Sequence, residues 1–144
     1  MEIEFASVED IDAIARIEGE CFVKEAWSKE MLQADFDNRS IYLVSRLETG
    51  DVIGYLSMLD LDIEGEILRV AVKKQYRRKG VAKRMIQFLI EFLQEKNYQR
   101  LYLEVKSTNE EAIKLYESLG FTKYNERKNY YSEGEDALNY ILLI

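Results

Sequence analysis

The sequence predicts an α/β domain built on one sheet, partly antiparallel and partly parallel. Three observations predict it. Strand-like runs follow one another between Ile41 and Val72 with only tight turns between them, the pattern of antiparallel neighbours. Two helical patterns, Gly80 to about Lys96 and Asn109 to Leu119, each lie between strand-like runs. Nothing divides the chain: it has no proline, no Gly/Ser-rich linker and no internal repeat, so residues 1–144 read as a single domain.

The elements follow in order. Ile3 and Phe5 alternate with polar residues, as in a short first strand. Ser7-Val8-Glu9-Asp10 resembles a capping box, and Ile11, Ile14, Ala15, Cys21 and Phe22 then recur at helical spacing, so a helix is expected over 8–22. Ser28 caps a second helix with Met31, Leu32 and Phe36 on one face. Ile41 to Leu47 is a strand, Thr49-Gly50-Asp51 a turn and Val52 to Leu61 the next strand. Glu64-Gly65-Glu66 is expected to turn again into a strand from Ile67 to Val72. Val81, Met85, Phe88, Leu89 and Phe92 form one helical face. Leu101 to Val105 alternates as a strand, and Asn109 to Leu119 is a helix ended by Gly120. Strands near 124–131 and 138–144 close the order β-α-α-β-β-β-α-β-α-β-β.

Composition removes several chemistries. The 144 residues carry 20 Lys plus Arg against 27 Asp plus Glu, a net charge of -7. Histidine is absent, which excludes Ser-His-Asp and Cys-His catalysis and His-based zinc sites. Cys21 alone cannot form an internal disulfide or a cysteine-rich metal site, and no metal is expected. Among Ile14, Ile17 and Phe22 it reads as a buried hydrophobe. No apolar run approaches the ~18 residues of a membrane helix, and Met1-Glu2-Ile3-Glu4 lacks a basic signal-peptide start. A soluble, cytoplasmic domain without a membrane partner is the expectation. The acidic total argues against nucleic acid as a partner and suits cationic acceptors, although many proteins are acidic for solubility alone.

Against that acidic background stands a basic island. Between Arg69 and Gln87 lie eight basic residues (Arg69, Lys73, Lys74, Arg77, Arg78, Lys79, Lys83 and Arg84) and no Asp or Glu. A run of charge is commonly a solvated face. Here, however, strand Val70-Ala71-Val72 leads into Arg77-Arg78-Lys79-Gly80-Val81-Ala82-Lys83, which opens a helix. Gly80 and Ala82 let backbone approach a ligand, and the first N–H groups of a helix lack internal partners. Such a loop is a pyrophosphate cradle. The triphosphatase pattern G-x-x-x-x-G-K-[ST] and the dinucleotide pattern G-x-G-x-x-G are both missing.

Three further residues have a bland and a functional reading. On the strand Leu101 to Lys106 the odd positions are apolar, so Glu104 points away from the core as either a solvated carboxylate or a reactive one. Tyr116 lies among Ile113, Leu115 and Leu119 as either a core aromatic or an acid. Asn109 sits where a helix starts, as a cap or as a ligand contact.

Arg77-Arg78-Lys79-Gly80-Val81-Ala82 resembles the [RQ]-x-x-G-x-[GA] acetyl-CoA loop of the GNAT N-acetyltransferases, and Asn109 to Phe121 resembles that superfamily's second signature. Leu103-Glu104-Val105, Arg127-Lys128-Asn129-Tyr130-Tyr131, Glu135-Asp136-Ala137 and Trp27-Ser28 are similar to the RimI-like branch, the ribosomal-protein-alanine N-acetyltransferases. The sequence departs from that branch at Ala26, where proline is usual, and at Ala82, where glycine is frequent. The resemblance implies a GNAT fold: a mixed sheet flanked by helices, with acetyl-CoA at splayed central strands. It implies that main chain at Val70, Ala71 and Val72 meets the pantetheine arm, that amides from Arg78 to Lys83 hold the pyrophosphate, and that Asn109 contacts the arm. It implies Glu104 as general base and Tyr116 as general acid, in a direct transfer of acetyl to the α-amine of a basic protein N-terminus. A lysine, a polyamine or an aminoglycoside-like amine stands as the alternative acceptor, and a CoA-binding module without turnover as the alternative class. A monomer is favoured.

Overall fold

A computed structural model of the chain describes residues 1–22, 24–38 and 40–144. Among them, seven strands form one sheet: β1 (Glu2–Phe5), β2 (Ser40–Arg46), β3 (Val52–Asp60), β4 (Glu64–Val72), β5 (Arg100–Lys106), β6 (Thr122–Ser132) and β7 (Glu135–Leu143). Their order across the sheet is β1-β2-β3-β4-β5-β7-β6, and every neighbouring pair is antiparallel except β4 with β5. Four helices join them: α1 (Ile11–Cys21), α2 (Lys29–Phe36), α3 (Val81–Glu95) and α4 (Glu110–Ser118). The mixed sheet with its flanking helices is the predicted architecture.

Strand alternation assigns the two faces. Leu43 packs under α3 with Val81, Met85, Ile86, Leu89 and Leu93, and α4 joins the same face through Ile113, Leu115 and Tyr116. Tyr42 and Val44, one residue to either side, point the other way and meet Ile14 and Ile17 of α1 and Leu32 of α2. The helices begin where the capping residues predict. The Oγ of Ser28 accepts from the Met31 N–H at 3.1 Å, and the Oδ1 of Asn109 accepts from the Ala112 N–H at 3.2 Å. A 3₁₀ turn, Val8–Asp10, precedes α1, and the Asp10 carboxylate accepts from the Ser7 N–H at 2.9 Å. Met31 is exposed rather than packed with Leu32, because α2 is a single short helix with only Leu32 fully buried.

One turn moves. Residues 64–66 lie inside β4; the reversal is at Leu61 to Ile63, where Asp62 takes φ 78°. Gly65 serves packing rather than a turn, since a Cβ there would lie 2.4 Å from the Sδ of the buried Met58. Three residues later β4 bulges: Ser57 faces Arg69 and Met58 faces Ile67, so Leu68 has no partner on β3. The bulge rephases the strand. Gly65 and Ile67 before it, and Val70 and Val72 after it, all serve the α3 face, while Arg69 and Ala71 turn to the α1 face.

Candidate active site

The parallel pairing of β4 with β5 ends at Ile67 and Leu103, next to the bulge. β5 continues along β7 as far as Lys106 opposite Ala137, so the sheet opens into a gap between two strands that both go on. The Lys73 N–H donates to the Ile53 carbonyl at 2.8 Å. By antiparallel alternation Ala71 and Lys73 therefore bond β3, and Val70 and Val72 turn their N–H and C=O groups toward the gap. The Val72 carbonyl is already occupied: it accepts from Arg77 Nε at 2.9 Å and from the Cys21 thiol at 3.5 Å. Among the described residues, both groups of Val70 and the N–H of Val72 remain open on this edge.

A cleft of about 590 Å³ runs from this edge between α3 and α4. Of the predicted cofactor residues, Val70, Ala71, Val72, Arg77, Arg78, Gly80, Val81, Ala82, Lys83 and Asn109 line it, together with Tyr116. Lys79 is not on its wall; the Lys79 ammonium lies 5.8 Å from the Tyr76 ring centroid. At the cleft's mouth Arg78 and Gly80 both take positive φ, 61° and 80°. Gly80 caps α3, and the first amide to find an intrahelical carbonyl is Arg84, donating to Gly80 at 3.0 Å. The amides of residues 81 to 83 thus face outward at the positive end of a 15-residue helix. With Arg77, Arg78 and Lys83 around them, they suit a diphosphate.

Cys21 differs from its expected burial. It is half-buried on the cleft wall at the end of α1, where Arg77, also on that wall, donates from Nη2 to its sulfur at 3.2 Å. Phe22, Tyr76, Glu111, Ala112 and Leu115 also line the cleft, and sequence reasoning missed them as site residues. Only the helical spacing of Ala112 and Leu115 with Tyr116 offered a signal.

Tyr116 lines the cleft, and Glu104, the first residue of β5 beyond its pairing with β4, lies on the opposite face of the sheet. Tyr116 packs edge-on against Phe121, with ring centroids 6.0 Å apart, and burial pushes its hydroxyl up to about 12. Glu104 lies on the far side of β5 from the buried Leu103 and Val105. It is absent from the cleft wall and engaged instead by its sheet neighbours: Tyr131 donates to Oε1 and Asn139 Nδ2 to Oε2, each at 2.9 Å. Glu66 sits on the same face. Burial and the charge of Glu104 raise its carboxyl above the usual range, with Arg127 opposing them. Elsewhere on β3 and β4, Asp60 accepts from the Tyr98 hydroxyl at 2.7 Å, and Glu64 pairs with Arg100 at 3.2 Å. Among the described residues no group of three or more Cys, Asp or Glu side chains is placed to hold a metal ion, and no helix is long and apolar enough to cross a membrane.

Comparison with known proteins bears on this geometry. Residues 11–121 match the model of the acetyltransferase (GNAT) family. The chain is 34% identical over 117 residues to the [ribosomal protein bS18]-alanine N-acetyltransferase of Escherichia coli K12, covering 78% of this chain and 77% of that protein. The crystal structure of the ribosomal-protein-S18-alanine N-acetyltransferase from Escherichia coli superposes with a TM-score of 0.91 at 28% identity, covering 99% of this chain and 93% of the other. An aminoglycoside 6'-N-acetyltransferase solved with coenzyme A shares the fold at a TM-score of 0.88 and 13% identity, over 99% of this chain and 97% of that one. A chain whose sheet opens beside a diphosphate-sized helix start, and which matches that family over most of its length, belongs to the GNAT acetyltransferases and is an acetyl-CoA-dependent N-acetyltransferase.

Proposed function

We propose that this chain acetylates the N-terminal α-amine of a protein beginning with alanine, a small-subunit ribosomal protein in the cytoplasm being the favoured acceptor. The observation that carries the reading is the gap between β4 and β5, with Tyr116 on the wall of the cleft that runs from it and Glu104 on the opposite face of β5, one residue beyond the last β4 pair. The name of the Escherichia coli relative supports the acceptor.

In this reading the pantetheine arm pairs with Val70 and with the Val72 N–H, and its diphosphate rests on the amides of residues 78 to 83 beneath Arg77 and Arg78. Asn109, whose side chain caps α4, borders the arm. The neutral α-amine attacks the thioester carbonyl. A C–N bond forms, the C–S bond breaks, and the amine's surplus proton passes through water to Glu104. An α-amine has a pKa near 8 against about 10.4 for lysine, so a carboxylate suffices for the first acceptor far better than for the second. Tyr116, held near 12, cannot fully protonate a thiolate whose thiol ionises near 8.5. It stabilises the leaving sulfur by donating a hydrogen bond as charge develops, and the proton arrives late from solvent. Positioning two bound substrates supplies much of the remaining rate.

The test is release of CoA thiol with a basic peptide beginning in alanine, beside an N-blocked copy carrying lysine, with mass spectrometry locating the acetyl group. Acetyl on the α-amine supports the reading. Acetyl on lysine alone moves the acceptor class, and binding of acetyl-CoA without turnover on any amine leaves a CoA-binding module.

A further inference from the structure

Arg69 is the first residue of β4 beyond the bulge, and the rephasing turns its side chain to the α1 face, away from the other basic residues of its island. There it meets the fully buried Glu18 of α1. One oxygen of Glu18 accepts from the Tyr55 hydroxyl. The other accepts from the Trp27 N–H at 2.9 Å and pairs with Arg69 Nη2 at 3.3 Å. The same Nη2 donates to the Glu25 carbonyl at 3.0 Å. The guanidinium carbon lies 4.2 Å from the Phe22 ring centroid and 5.4 Å from that of Trp27. Phe22, Glu25 and Trp27 belong to the segment that joins α1 to α2, and a single planar cation holds all three.

This segment borders the reaction gap. Phe22 lines the cofactor cleft, and the charge of Glu25 helps to raise the Tyr131 hydroxyl, after burial and the bond to Glu104. Through Arg69, Phe22, Glu25 and Trp27 are held on the α1 face of the sheet, the face to which Glu104 also points. Val70, next to Arg69, turns its main chain toward the cleft.

We infer that Arg69 is a positioning residue for the acceptor: it fixes Phe22, Glu25 and Trp27 as one wall of the acceptor channel and ties that wall to the strand that receives the cofactor. The inference rests on the peptide-acceptor reading above. Its physical basis is the fork of Arg69, which satisfies a buried carboxylate and a carbonyl while offering a flat face to two rings; a lysine can do the first but not the last.

Trp27 is the single tryptophan of the chain, so its fluorescence reports the segment without any acceptor. Arg69→Lys keeps a partner for Glu18 but removes the flat fork. Glu18→Gln with Arg69→Met removes both charges together and so avoids leaving one buried alone. Each variant is compared with the parent by acrylamide quenching of Trp27 and by steady-state kinetics with the alanine-starting basic peptide. In both variants Trp27 quenching is expected to rise about twofold and KM for the peptide about tenfold, while KM for acetyl-CoA and kcat stay within about threefold. Unchanged quenching overturns the proposal. So does a rise in quenching that leaves the peptide KM where it was, or a parallel rise in both KM values. A parent chain that leaves the peptide unacetylated overturns the acceptor reading instead; Trp27 quenching then still decides whether Arg69 holds the segment.

Discussion

Glu104 accepts two hydrogen bonds in the free protein, from Tyr131 and Asn139, and this sets what its removal should do. A glutamine can accept from Asn139 and donate to the Tyr131 oxygen, so Glu104→Gln keeps the shape and deletes the proposed base. Below about pH 8 the α-amine is mostly protonated and needs that base; above it the free amine is plentiful. Glu104→Gln should therefore lose activity most at acidic pH and approach the parent at alkaline pH, and a profile parallel to the parent's would assign Glu104 to structure. The Tyr116 hydroxyl makes no hydrogen bond to a described residue, so Tyr116→Phe removes only the proposed donor to the leaving sulfur. It should lower kcat by about ten- to a thousandfold with acetyl-CoA affinity retained. Equal kcat in the purified variant would exclude the hydroxyl from the reaction.

At the scale of elements, the start of α3 and the start of α1 are the most exposed to test. Gly80 holds φ 80° with open space around the missing Cβ, so an alanine there is strained by conformation and not by contact. A left-handed alanine costs about 1–2 kcal/mol, and a loop that relaxes away from it no longer presents its amides. Gly80→Ala should weaken acetyl-CoA binding about five- to thirtyfold by calorimetry; unchanged affinity would show that the cradle does not depend on this conformation. Asp10 links the start of α1 to β2 by bonding the Ser7 N–H and, at 2.7 Å, Arg46. Burial alone would raise its carboxyl, but the bonds from Arg46 and Ser7 overcome it and hold the carboxyl below its ordinary value. A lowered folded pKa contributes stability that is present above the unfolded value, near 3.8, and is lost as pH falls through the folded one. Asp10→Asn should cost about 1–2 kcal/mol in urea unfolding near neutral pH and less at the acid end, where the parent has already lost that contribution. An equal cost at both ends would contradict this sign.

The whole molecule carries a charge of -7, yet Arg77, Arg78 and Lys83 gather on the cleft wall. With acetyl-CoA, an anion, bound there to the folded state as proposed, stability and occupancy are linked. At about a hundred times Kd the ligand should add about 2.7 kcal/mol, roughly 6–11 °C in Tm for a chain of this size. The gain should shrink as salt screens the exposed arginines and lysines. A ligand-induced shift independent of salt would mean that the arm and the acetyl group, not the diphosphate, supply the affinity.

Much of this was legible in one dimension because its causes are local. Ser7 with Asp10, Ser28 and Asn109 mark helix starts by chemistry within three residues, and the alternation of Leu101, Leu103 and Val105 places Glu104 on the other face without any fold. Arg77 to Lys83 announces a helix start with free amides beside basic side chains because a loop, a glycine and a helix start are contiguous in sequence. Tertiary structure alone decided what depends on neighbours distant along the chain. Gly65 reads as a turn until Met58 is seen above it, and the bulge at Leu68 exists only in the register of β4 against β3. That bulge sends Arg69 to Glu18 rather than to the phosphate loop, and the pairing that stops at Ile67 and Leu103 opens the gap. Spacing encodes which way a side chain points; register between strands, which follows from packing across the sheet, determines what it meets.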